Sequence, residues 1–152
     1  MIKQIFLPLV AVAVFIVAVG LFVKNSGKKT VTIGNKTISV EVANTPESRK
    51  NGLSGTSALA EDNGMLFVFD SQDIMPSFWM KDMLIPLDII WINDGKVVKI
   101  DKNVPAPAKD IPDSELKTHN PGQPIDYVLE VNSGFSDKNG VKAGDSVTLP
   151  SL

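Results

Sequence analysis

After residue 29 the chain is a succession of short apolar or alternating runs, each closed by a turn signal, and no stretch between them has the length and apolar period of a crossover helix. This pattern constrains the fold more than any other feature. Without crossover helices a parallel α/β sheet is disfavoured, and the strands are left to close on one another as a barrel or sandwich. Thr30–Ile33 and Thr37–Val42 flank Gly34-Asn35 and read as a hairpin. In the second run Ile38, Val40 and Val42 alternate with Ser39 and Glu41, the period of a half-buried strand. Leu87–Ile92 and Lys96–Asp101 flank Asn93-Asp94-Gly95, a stronger hairpin signal. Met65–Phe69 (MLFVF) is apolar on both faces, and Asp126–Val131, Ser146–Leu149 and the shorter Phe78–Met80 complete the strands. Thr45-Pro46-Glu47 opens a short helix with a side-chain cap, a proline at the first helical position and an acid at the positive end of the helix dipole; Gly52 ends it. Ser133–Asn139 reads as a turn or a single helical turn, and the proline-rich stretch Val104–Gln123 as a long surface loop.

The N-terminus carries a different signal. Ile5–Val23 (IFLPLVAVAVFIVAVGLFV) contains no charge, and as a helix it spans about 28 Å, close to the hydrocarbon thickness of a bilayer. The expected organisation is a membrane anchor over residues 1–24, a tether over 25–29 and a β domain over 30–152. The alternative is a signal peptide cleaved near Ala18-Val19-Gly20, which is disfavoured because the apolar run continues through Leu21-Phe22-Val23. The head of only four residues before the run suits a signal-anchor that exports the domain, although Lys3 and the α-amine against Lys24, Lys28 and Lys29 nearly balance and lean the wrong way for export.

Charge and composition remove several functions. From Thr30 onward there are 11 basic and 17 acidic residues, a net of −6, which is a poor surface for phosphate backbones, and nucleic-acid binding is not expected. There are no cysteines, so disulfides, thiol catalysis and cysteine metal sites are absent. The single histidine, His119, falls in the proline-rich loop and reads as solvated. No spacing of ligands suits zinc, and Asp110-x-x-Asp113-x-Glu115 lacks the pattern of an EF-hand loop, so neither metal nor cofactor is expected. No Gly-x-Ser-x-Gly elbow and no phosphate-binding loop occur.

Two acids remain, each among apolar residues. On a strand Asp88 shares its face with Ile90 and Ile92, and Glu130 shares its face with Val128. Burial raises the pKa of an acid unless a cation or donors compensate, which describes a general acid and a structural pair equally well. Arg49, Lys81 or backbone amides are the available partners. A structural role is favoured for Asp88. Of the aromatics, Trp91 and Tyr127 lie on strands that face a core, whereas Phe78 and Trp79 have charged neighbours and suit a rim.

One ordered set of segments is distinctive: Val42-Ala43-x-Thr45, Arg49-x-x-Gly52-Leu53, Gly64-Met65-Leu66-Phe67, Phe78-Trp79-Met80-Lys81, Ile85-Pro86-Leu87-Asp88-Ile89, and Tyr127-Val128-Leu129-Glu130 with Gly134, ending in Gly144-Asp145. In these residues, over about Ser39–Leu149, the chain resembles the domain of unknown function 192 family of small, often membrane-anchored or exported proteins. The resemblance implies a compact, mainly β, jelly-roll-like domain, and it implies no activity. Two places depart from the family pattern: Ser54-Gly55-Thr56 stands where a methionine and a basic residue are usual, and Asp82-Met83 where Asn-Thr is usual.

The resulting expectation is a membrane-tethered extracytoplasmic binding module for a small polar ligand or a partner protein, with Arg49, Trp79, Lys81, Asp88 and Glu130 as the ligand-binding candidates. One alternative is a hydrolase-like enzyme using Asp88 and Glu130 as acid and base, and another is a purely structural assembly module.

Overall fold

The computed structural model describes residues 29–152. The anchor expected over residues 1–24, and residues 25–28 of the tether, lie outside the described residues. Lys29, expected as tether, is the first residue of strand β1 (Lys29–Ile33). Strand β1 pairs antiparallel with β2 (Lys36–Ala43) through the expected hairpin, with Gly34 at φ 55° in the turn. Helix α1 (Pro46–Asn51) follows, and its start is the predicted one: the Thr45 side chain accepts from the Ser48 amide while the Ser48 hydroxyl accepts from the Thr45 amide. Strands β3 (Asn63–Val68), β4 (Phe78–Trp79), β5 (Leu87–Asn93) and β6 (Lys96–Val104) come next. Asp94 and Gly95 join β5 to β6 with φ of 47° and 65°, the doubly left-handed turn that matches strand twist. Strands β7 (Thr118–His119) and β8 (Tyr127–Asn132), helix α2 (Phe135–Asn139) and strand β9 (Val147–Thr148) complete the chain.

Seven strands form one sheet in the order β6-β5-β8-β3-β2-β1-β9. Its two ends approach each other. Lys96 bridges Ser146, the Val97 amide donates to the Asp145 carbonyl at 2.9 Å, and the Val147 amide donates to the Gly95 carbonyl at 2.7 Å. The domain is therefore mainly β, a nearly closed barrel made from a single curled sheet, with two short helices; the strand order is not that of two facing sheets. One pairing departs from expectation. Strands β2 and β3 are parallel, Ser39 opposite Asn63 through Ala43 opposite Phe67. Residues 44–62 make the crossover with only the six-residue α1, because a parallel return requires chain length and not a long helix.

The sheet is covered on both faces. Val31, Ile33, Ile38, Leu66, Ile90, Leu129 and Val131 fill the barrel interior. Met65, Phe67, Ile89, Trp91 and Val128 point outward and are covered by Leu53, Met80, Met83 and Ile125 in a second core. Two-sided burial explains why MLFVF and LDIIWI are nearly continuous apolar runs instead of alternating ones. The two-stranded β4–β7 sheet lies over this outer core. His119 is consequently not solvated: its side chain is 9% exposed and its Nδ1 lies 4.0 Å from Asp101. Burial lowers the His119 pKa, with Asp101 opposing that effect.

Candidate functional site

Strand β8 runs through the centre of the sheet, and Glu130 is its only ionisable residue between Val128 and Val131, all of them buried. Glu130 lies opposite Met65 of β3 and Ile89 of β5, so its side chain leaves the sheet on the outer face with theirs. Asp88 lies opposite Val131, one residue out of phase, and its side chain leaves on the interior face with Ile90 and Ile92. The two acids thus sit on opposite faces of one sheet. They share no cleft, and the acid–base pair of the hydrolase reading is corrected on that ground.

Asp88 is fully buried and fully partnered. Its Oδ1 accepts from the Asn103 amide at 2.9 Å and the Gly134 amide at 3.1 Å, and its Oδ2 from the Ser136 amide at 2.9 Å. Of the partners open to it in sequence, backbone amides are the ones present. Each bond has a local reason. Asn103 sits in a β-bulge opposite Asp88, at φ 52°, which turns its amide away from the ladder. Gly134 is the N-cap of α2 and has no side chain to satisfy the first-turn amides, so Asp88 caps that helix from a distant strand.

Glu130 has the opposite environment. It is 5% exposed, and burial alone pushes its carboxyl up to about 8, with no charge or hydrogen bond offsetting the effect. It borders a cavity of about 330 Å³ whose walls come from three parts of the chain: Arg49, Gly52, Leu53 and Ser54 around the end of α1, Phe67 and Phe69 from β3 and beyond, and Pro76, Phe78, Trp79, Lys81 and Met83 from the β4 region. The aromatic rings interlock. Phe78 meets Phe67 edge-to-face at 4.9 Å and Trp91 at 5.5 Å. Trp91 is buried behind Phe78, with its indole N–H donating to Asp101 at 2.8 Å, and Tyr127 packs on the barrel-interior side.

Two of the three basic side chains at this cavity, Arg49 and Lys81, have acidic partners, and the third, Lys50, is exposed. Arg49 donates to the Val68 carbonyl at 2.8 Å and to Asp70 at 2.9 Å, and its guanidinium lies 5.8 Å from the Phe69 ring centre. Lys81 is ion-paired with Asp113, which raises its pKa, and its ammonium lies 5.6 Å from the Trp79 ring centre. Of the five sequence candidates, the structure brings four together here: Arg49, Trp79, Lys81 and Glu130. Asp88 stands apart on the other face. Sequence reasoning missed Phe67, Phe69, Leu53 and Met83 as lining residues. The signal was present in part, since Met65, Phe67 and Phe69 fall on one face of a strand by period alone. Ser54, one of the departures from the family pattern, lines the cavity and donates to the Lys81 carbonyl at 2.9 Å, and Met83, the other, is a wall residue. Among the described residues no group of three or more acids or histidines is placed to hold a metal ion.

Two solved structures share this architecture. One is a protein from Sinorhizobium meliloti 1021 provisionally described as a transcription regulator, 32% identical, with a TM-score of 0.70 over 80% of this chain and 93% of that one. The other is a protein of unknown function from Novosphingobium aromaticivorans DSM 12444, 30% identical, with a TM-score of 0.69 over 78% of this chain and 83% of that one. No curated protein matches the chain in sequence. Residues 29–149 match the DUF192 family, described as Uncharacterized ACR. The ordered segments from Val42 to Asp145, the barrel they build and this match agree: the chain belongs to the DUF192 family.

Proposed function

We propose that the domain is a binding module that takes a small ligand with a polar head in the cavity over Glu130. One observation carries the reading: a buried carboxyl with no hydrogen-bond or ion-pair partner among the described residues borders an aromatic-walled cavity of ligand size. Buried polar groups in folded proteins are ordinarily hydrogen-bonded, so an unpartnered one facing a cavity is a group reserved for something that enters it. The uncharged run Ile5–Val23, long enough for one bilayer crossing as a helix, supports a single-pass tether with the domain outside the cytoplasm as part of this proposal. Among the described residues no helix is long and apolar enough to cross a membrane. Binding to nucleic acid is disfavoured by the net charge of −6 from Thr30 onward.

Thermal-shift measurements on the full-length chain against amino acids, sugars and amines test this reading. A ligand at a hundred times its Kd stabilises the folded state by about 2.7 kcal/mol, a readily measured rise in Tm. At least one class should raise Tm, and Glu130→Gln should reduce the rise. Silence across all classes would remove the small-ligand reading and leave a partner protein, for which the exposed Met75, Trp79 and Leu84 are the available apolar contacts.

A further inference from the structure

The chemistry of the cavity narrows the ligand class. Among the described residues Glu130 is the only acidic side chain in its walls, and it is more than nine-tenths buried. An anion placed against it would meet at most the single O–H of the protonated carboxyl, and would be repelled by the carboxylate once Glu130 ionised. Of the three cations in the walls, Arg49 is paired with Asp70 and Lys81 with Asp113, and Lys50 is exposed to solvent. A neutral hydroxyl would gain one hydrogen bond. An ammonium would gain that bond and a charge attraction made strong by the low local dielectric. The walls suit it as well. Two of their rings already hold cations, Phe69 under Arg49 at 5.8 Å and Trp79 under Lys81 at 5.6 Å.

We infer that the cavity takes a small organic ammonium, a primary amine on an apolar body, with the ammonium against the Glu130 carboxylate and the body between Phe67, Phe78 and Trp79. This rests on the binding-module reading and deepens it. Binding is linked to a proton. The amine arrives protonated and stays so, and the Glu130 carboxyl releases its own proton to solvent. One proton is therefore released for each amine bound at pH values below about 8, where the empty site holds a neutral acid.

The test is a titration of tryptophan fluorescence in the full-length chain with three probes of one shape: benzylamine, benzyl alcohol and benzoate. Trp79 is 44% exposed at the cavity and Trp91, the only other tryptophan, is buried, so quenching reports on the site. Benzylamine should bind best, and its affinity should rise about tenfold from pH 6 to 7 and about fivefold from 7 to 8, following the ionised fraction of Glu130. Glu130→Gln, which keeps the shape of the side chain, should remove the preference for benzylamine and the pH dependence while leaving benzyl alcohol binding in place. Benzyl alcohol or benzoate binding as tightly as benzylamine, or an affinity for benzylamine that is flat or falls with pH, overturns the ammonium assignment and leaves the binding cavity standing. No quenching by any probe overturns the ammonium assignment, and silence in the thermal-shift series as well removes the cavity reading beneath it.

Discussion

Asp88 and Glu130 show how much the environment decides what an acid is for. Both sit in apolar strands, and one register step separates their faces. Asp88 accepts three backbone amides and ties β5 to the bulge in β6 and to the start of α2. Replacing it by alanine would leave those three buried donors unmatched, and each such donor costs about 1–3 kcal/mol. Asp88→Ala should therefore lose about 3 kcal/mol or more in urea denaturation. Asp88→Asn keeps an oxygen where Asn103 and Gly134 donate and should lose clearly less. Near-wild-type stability for the alanine variant would contradict a structural Asp88.

Elements in this fold are positioned by close backbone contacts as well as by side chains. Gly64 opens the run Gly64-Met65-Leu66-Phe67 in β3, where the strand is squeezed between β2 and β8. A Cβ at Gly64 would lie 2.6 Å from the Glu130 carbonyl oxygen and 3.0 Å from Val131 Cγ1. The first is backbone in the centre of the sheet and cannot step aside. Gly64→Ala should destabilise by about 1–3 kcal/mol, measured by the midpoint of denaturation, and a neutral effect would show that the β3–β8 contact is looser than described. Much at this scale was legible in sequence. The Asp94-Gly95 turn, the Thr45 cap, the proline at the start of α1 and the strand runs are local features, set by residues a few positions apart. What was not legible is non-local. Period two shows that Asp88 joins Ile90 and that Glu130 joins Val128, but only the pairing of Ile89 with Glu130 puts the two acids on opposite faces. The burial of His119 under β4 and the parallel return from β2 to β3 likewise depend on where distant segments dock. The candidate site was visible as residue types, with Arg49, Trp79, Lys81 and Glu130 all noticed, while its aromatic walls at Phe67 and Phe69 read as ordinary core.

At the scale of the whole molecule, one curled sheet separates two cores. The barrel interior contains Asp88 with all its partners and serves stability. The outer core ends at the cavity, where an acid is left unpaired at a cost the rest of the fold carries. That cost has a sign and a pH range. Glu130 moves from an ordinary value of 4.5 to about 8 on folding, so between these values the folded state holds a proton that the unfolded state has lost. Stability attached to this group is complete below pH 4.5 and is lost as pH rises toward about 8, at about 1.4 kcal/mol per pH unit. Glutamine at this position cannot ionise and removes the loss. The direct measurement is the urea denaturation free energy of the full-length chain and of Glu130→Gln from pH 5 to pH 9. If Glu130 is an uncompensated acid kept for a ligand, the wild type loses stability relative to Glu130→Gln steadily up to about pH 8 and the difference then levels off. Two curves that stay parallel across the range would mean that Glu130 is ionised and paired in the folded protein, which contradicts the cavity as a site waiting for a charged partner.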